Sequence, residues 1–136
     1  MVEKKNLLLG ICGSPRKQGT EYAIEYALNY AAEKYGFETK EIFFRKMRTK
    51  WGSYSSRGNI TLNTLLKYLP SKLIAYVVFH EMVHHLGKRH NDNFWRTISR
   101  EFDNWEVLEK DLLVYWFIIQ NLKTLERANN GGEGNG

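Results

Sequence analysis

The chain has 136 residues, 43% of them apolar and 26% charged, which suits one soluble domain with its own core and is too short for two ordinary ones. Its net charge of +5 and pI near 9.3 admit an anionic partner such as nucleic acid, although a modest excess of Lys and Arg more often marks a solvated surface. A lone cysteine, Cys12, cannot close an internal disulfide, so nothing points to an oxidising compartment and the cytoplasm is the expected location.

The opening MVEKKNLLLGICGSP is too short in its apolar part for a secretory signal and runs straight into turn residues. Asn6 to Cys12 reads as a buried strand, and GSPRKQGT (Gly13 to Thr20) as the loop after it. A helix should follow from Thr20 to Tyr35, because Ile24, Ala27, Leu28, Ala31 and Tyr35 recur at three and four. Thr20 can cap it, Glu21 suits its first turn and Gly36 its exit.

Glu41 to Asn63 turns β-branched and aromatic, with turns expected near Arg48-Thr49 and Arg57-Gly58, which predicts two or three short antiparallel strands. Pro70 and Ser71 open an apolar helix that Gly87 can end. The next helix should begin at Asn91 or Asp92, with Phe94, Trp95, Ile98 and Phe102 as its apolar stripe. Trp105 to Leu122 is read as helix, although its Val, Tyr, Trp, Phe and Ile also suit a strand. Its apolar run LLVYWFII (Leu112 to Ile119) is far below the roughly 18 to 20 residues that cross a bilayer, so no membrane partner is expected. That run could close the core, pair two subunits as a homodimer, or plug the cleft in a latent form. The NNGGEGNG tail has no apolar residue and is expected to be disordered.

All the histidines lie in HEMVHHLGKRH, His80 to His90. His80 and His84 are four apart on the predicted helix, so they project from one face and can share an ion. Glu81 lies beside them, which makes HExxH: two imidazoles for zinc and a glutamate as general base toward a zinc-activated water, with peptide hydrolysis the natural use. The apolar YVVF before the motif argues that the helix is buried, where unpartnered histidines would be costly. A catalytic zinc needs a third protein ligand. His90 lies six beyond His84, with Gly87 between them to let the chain swing back. Glu101 competes, since it points to the apolar side of its helix, as a gluzincin ligand would; its other expected use is an ion pair with a nearby arginine such as Arg48. His85 is turned about 100° from His84 and should not bind the same ion. The spacing HExxHxxGxxH also matches metzincins, but no methionine follows Met82 to make their Met-turn.

RKMRTKWGSYSSRGNITLN (Arg45 to Asn63), YVVFHEMVHH and RHNDNFW (Arg89 to Trp95) together resemble the YgjP-like metallopeptidase domain, a relative of the SprT-like and WLM zinc proteases, over about residues 41–103. The resemblance implies that His90, in the HxxxF element, is the third zinc ligand. It also implies a small sheet beside the active-site helix, whose exposed edge receives an extended peptide. Tyr54 stands where that family usually has cysteine, a change expected to affect packing more than chemistry.

LLLGICGSPRKQGTEYAIEYALNYAAEKYGFE (Leu7 to Glu38) resembles the first strand, phosphate loop and first helix of NADPH-dependent FMN reductases of flavodoxin-like fold. Arg16, Lys17 and the helix N-terminus would favour a phosphate, but the later βα units that hold a flavin are missing.

The expected fold is therefore α+β and zincin-like: a small, mostly antiparallel sheet on an active-site helix with further helices, preceded by a strand-loop-helix. The expected divisions are 1–40 for the flavodoxin-like segment, 41–123 for the zinc metallopeptidase domain and 124–136 for the tail. The expected function is zinc-dependent peptide hydrolysis with Glu81 as base, His80, His84 and His90 as ligands, Zn2+ as cofactor and a protein or peptide as substrate. Basic residues from Arg45 to Arg57, interleaved with Trp51 and Tyr54, keep a nucleic-acid-associated protease or basic binding protein as the alternative, with FMN binding behind it.

Overall fold

The computed structural model describes residues 19–134, with side chains through Ala128. The strand and phosphate loop expected before Gly19 lie outside the described residues. The chain divides into two compact units between Trp105 and Glu106.

In the first unit, α1 spans Thr20–Tyr35. Ala23, Ile24, Ala27 and Ala31 are its buried residues; three of them are alanines, so the helix can lie close against its neighbour. Gly19 rather than Thr20 is the N-cap, its carbonyl accepting from the Ala23 N–H, so the helix starts one residue earlier than a side-chain cap would set it. Gly36 ends it at φ 73°, a left-handed conformation that favours glycine.

Three short strands follow: β1 (Ile42–Arg45), β2 (Gly52–Tyr54) and β3 (Ile60–Asn63). The sheet order is β1-β3-β2, with β2 antiparallel to β3 and β1 parallel to it. The sheet is thus mixed: β2 and β3 pair antiparallel as expected, and β1 joins β3 in parallel. The turn at Arg57-Gly58, with Gly58 at φ 89°, makes a hairpin of β2 and β3, and β3 inserts between β1 and β2. Asn63 fixes that crossing. Fully buried, it donates to the carbonyls of Met47 (3.0 Å) and Lys50 (2.8 Å) and accepts from the Leu65 N–H (3.0 Å). One amide therefore holds the loop before β2 and caps the 3-10 turn Thr64–Tyr68.

Helix α2, Ser71–Val83, is the centre of the unit: every residue from Leu73 to Phe79 is buried. It packs against α1, β2, β3 and α3. Its last turn tightens into a 3-10 turn, His84–Leu86, before Gly87 at φ 145°, where a side chain would be strained. Helix α3, Asp92–Glu101, starts at Asn91, whose side chain accepts from the Phe94 N–H at 3.1 Å, the capping expected of that residue.

Glu101 is fully buried and belongs to this scaffold. It accepts from the Tyr30 hydroxyl at 2.6 Å and from the Tyr35 hydroxyl, and pairs with Lys34 at 2.8 Å. Burial, then the hydrogen bond to Glu101, raises both tyrosine pKa values, so both hydroxyls stay protonated donors. The cluster ties α1 to α3, and the cation that meets Glu101 is Lys34 rather than Arg48.

Helix α4 spans Trp105–Gly134, and the second unit begins at its second residue, Glu106. It is continuous through position 124, where a disordered tail was expected to begin, because LKTLERA consists mainly of good helix formers. Leu113, Val114, Phe117 and Ile118 are exposed on it. No helix among the described residues is long and apolar enough to cross a membrane.

Candidate metal centre

Helix α2 delivers His80, the 3-10 turn that continues it delivers His84, and the chain after Gly87 brings His90 back to them. The Nε2 atom of His90 lies 3.3 Å from that of His80 and 3.1 Å from that of His84. Three ligand nitrogens thus gather within 4.8 Å of one another. A tetrahedral ion at zinc–nitrogen distances of 2.0–2.1 Å sets its ligand nitrogens about 3.3 Å apart, so the two close separations fit such an ion. Three imidazoles with a fourth position open are also a known donor set of hydrolytic zinc.

His80 and His84 are held in the neutral state that ligation needs. Burial, reinforced by the neighbouring His84 and His90 imidazoles, pushes His80 down to about 3. Burial also lowers His84, with His90 adding to it and the Gly87 carbonyl opposing. That carbonyl accepts from Nδ1 of His84 at 3.1 Å, which leaves Nε2 with its lone pair toward the other rings. Phe94 lies against all three imidazoles, at 4.9 Å from His80, 4.9 Å from His84 and 4.7 Å from His90 between ring centroids. Trp95 flanks His90 at 5.7 Å and stacks on Trp105 at 4.3 Å. The FW pair after His90 is therefore a wall that fixes the rings and keeps water from one side.

The imidazoles open onto a cleft of about 920 Å³ that Glu81 and β2 also line. A Cβ placed on Gly52 would stand 3.1 Å from Cγ of Glu81 and 3.2 Å from the Thr61 carbonyl, so the glycine is what lets the Glu81 side chain lie against β2. His85 lines the same cleft but is not part of the three-histidine cluster. Its Nδ1 is 3.0 Å from the Tyr54 hydroxyl and its ring 5.3 Å from Phe37, and burial raises the Tyr54 pKa. Tyr54 thus brings a hydrogen bond into the cleft as well as bulk.

The structure brings together His80, His84 and His90, sets Glu81 in the same cleft, and turns Glu101, at the end of α3, to Tyr30, Lys34 and Tyr35 of α1. Sequence reasoning did not assign roles to Gly52 or Asn63. The signals were there: a glycine opening a strand, and an asparagine closing one just before an apolar turn.

A mixed sheet lies beside a buried helix whose C-terminal end brings two histidines to a third, an arrangement able to hold a metal ion. Residues 13–114 match the family described as YgjP-like, metallopeptidase domain. The chain belongs to that family, and the match takes in α1 as well as the sheet and the histidines. Two solved structures share the fold. The metallopeptidase zymogen of Pyrococcus abyssi abylysin aligns with a TM-score of 0.61 and 21% identity, over 68% of this chain and 93% of that one. The zymogen of Methanocaldococcus jannaschii jannalysin aligns with a TM-score of 0.58 and 21% identity, over 90% of this chain and 97% of that one. A comparison with curated proteins finds no match.

Proposed function

We propose that the chain is a zinc-dependent peptidase in which His80, His84 and His90 hold the ion and Glu81 is the general base. The convergence of the three Nε2 atoms carries the reading. Bound there, zinc supplies a Lewis acid that polarises the scissile carbonyl and lowers the pKa of water to about 7.

The protein's own groups do the rest. Glu81 takes the proton of the attacking water and passes it to the leaving amine, a shuttle that suits a carboxylate half-shielded from solvent. Strand β2 is an edge of the sheet and lines the cleft, so an extended peptide can pair with it and be aligned past Glu81. Phe94 and Trp95 hold the imidazoles from behind.

Purified protein should carry one zinc per chain and cleave an unfolded protein, lose cleavage on chelation, and regain it with zinc. Cleavage untouched by a chelator, or a chain that takes up no zinc, would overturn the reading.

Gly52 offers a finer check. In Gly52→Ala the methyl group cannot move the Thr61 carbonyl, so the Glu81 side chain must shift. Misplacing a catalytic group by a fraction of an ångström lowers kcat by about tenfold. Zinc content and KM should stay near wild type in steady-state assays, and an unchanged kcat would separate Glu81 from Gly52.

A further inference from the structure

The cleft is charged. Lys40, Lys50, Arg57 and Lys88 line it, against the carboxylates of Glu38 and Glu81. All four cations are exposed, and among the described residues none has a carboxylate partner at ion-pair distance. Their placement follows the sheet edge. Lys50 lies two residues before β2, and Arg57 follows it in the hairpin turn. Lys40 is held at the same end as Arg57, its N–H donating to the Gly58 carbonyl at 2.8 Å. Lys88 follows Gly87, on the chain that returns His90 to the other imidazoles.

Resting on the peptidase reading above, we propose that this cleft selects polypeptide segments with acidic side chains on either side of the bond to be cut. A strand laid along β2 meets Lys50 at one end and Arg57 with Lys40 at the other. Its reacting centre lies between them, by Glu81 and the histidines. Cations fixed on the walls of a cleft focus the field within it and raise both the arrival rate and the occupancy of an anionic segment. Each exposed pair contributes little alone, so the effect belongs to the group and fades as salt screens it. The same charges could meet nucleic acid. They are set around a recess and a strand edge that pairs with no other strand among the described residues, rather than along an open face, however, and a polypeptide offers the backbone that such an edge can pair with.

Three unstructured peptides with one central sequence, flanked by Asp, Ala or Lys, test this with the zinc-loaded full chain. The kcat/KM should fall in the order Asp, Ala, Lys, by about tenfold between the extremes at low salt, and the spread should shrink at high salt. In Lys40→Glu with Arg57→Glu the order should narrow or invert at unchanged zinc content. Equal kcat/KM for the three peptides would overturn the selectivity and leave the peptidase reading standing. Cleavage of none of them, the Ala peptide included, would overturn both. Anisotropy titration of a single-stranded oligonucleotide completes the test: binding tighter than that of the Asp peptide would give the cations to nucleic acid and overturn the proposal.

Discussion

Glu81→Gln should retain its zinc and lose peptide hydrolysis by a factor of about 10²–10⁴, the range that a positioned acid–base group contributes. The amide has the shape of the carboxylate and keeps the methylene that lies against Gly52, so neither the β2 backbone nor the histidine cluster has reason to move. What it lacks is a basic oxygen to take the proton from water. The His80, His84 and His90 nitrogens converge on one another independently of Glu81. Metal content by elemental analysis and the thermal midpoint should therefore match wild type while kcat collapses. A fully active Glu81→Gln would remove the glutamate from the mechanism. A variant that lost zinc together with activity would instead give Glu81 a part in holding the ion.

Most of this site was legible in the sequence because its parts are close along the chain. His80 and His84 are one helical turn apart, Gly87 is the residue type that a reversal needs, and Asn91 caps the next helix as its side chain predicts. Local geometry alone brings His90 back. Glu101 was legible only as a buried carboxylate in need of partners. Those partners, Tyr30, Lys34 and Tyr35, sit on a helix more than sixty residues earlier, and no periodicity in either segment announces the pairing. The β1–β3 pairing was hidden for a related reason. Each strand is legible by itself, but the direction of pairing depends on which strand inserts between the other two, and here an asparagine and a tight hairpin decide it. In α4 the apolar run suggested a strand as readily as a helix, and the flanking Leu, Lys and Glu residues settle it as helix well past the point where the composition turns polar.

Two substitutions separate the candidates for the third ligand, because they should fail in different ways. His90 is exposed and its imidazole serves the cluster, so His90→Ala should leave the zinc-free fold as stable as wild type. Zinc affinity should fall by more than the roughly 10–100-fold that loss of an outer-shell partner costs. Glu101 is fully buried and accepts from two tyrosines and a lysine. Glu101→Ala would strip these donors of their acceptor and should destabilise the chain by about 3 kcal/mol, the lower end for breaking a buried charged pair, since Lys34 is 46% exposed and can rehydrate. Glu101→Gln keeps an acceptor for the tyrosines and should recover part of that loss. Zinc titration below the unfolding temperature, alongside urea unfolding of the metal-free proteins, reads both quantities on the same samples. If Glu101→Gln released zinc while His90→Ala kept it, the ligand assignment would pass to Glu101. The proposed ligand set, resting on the convergence of the three imidazoles, predicts the opposite result.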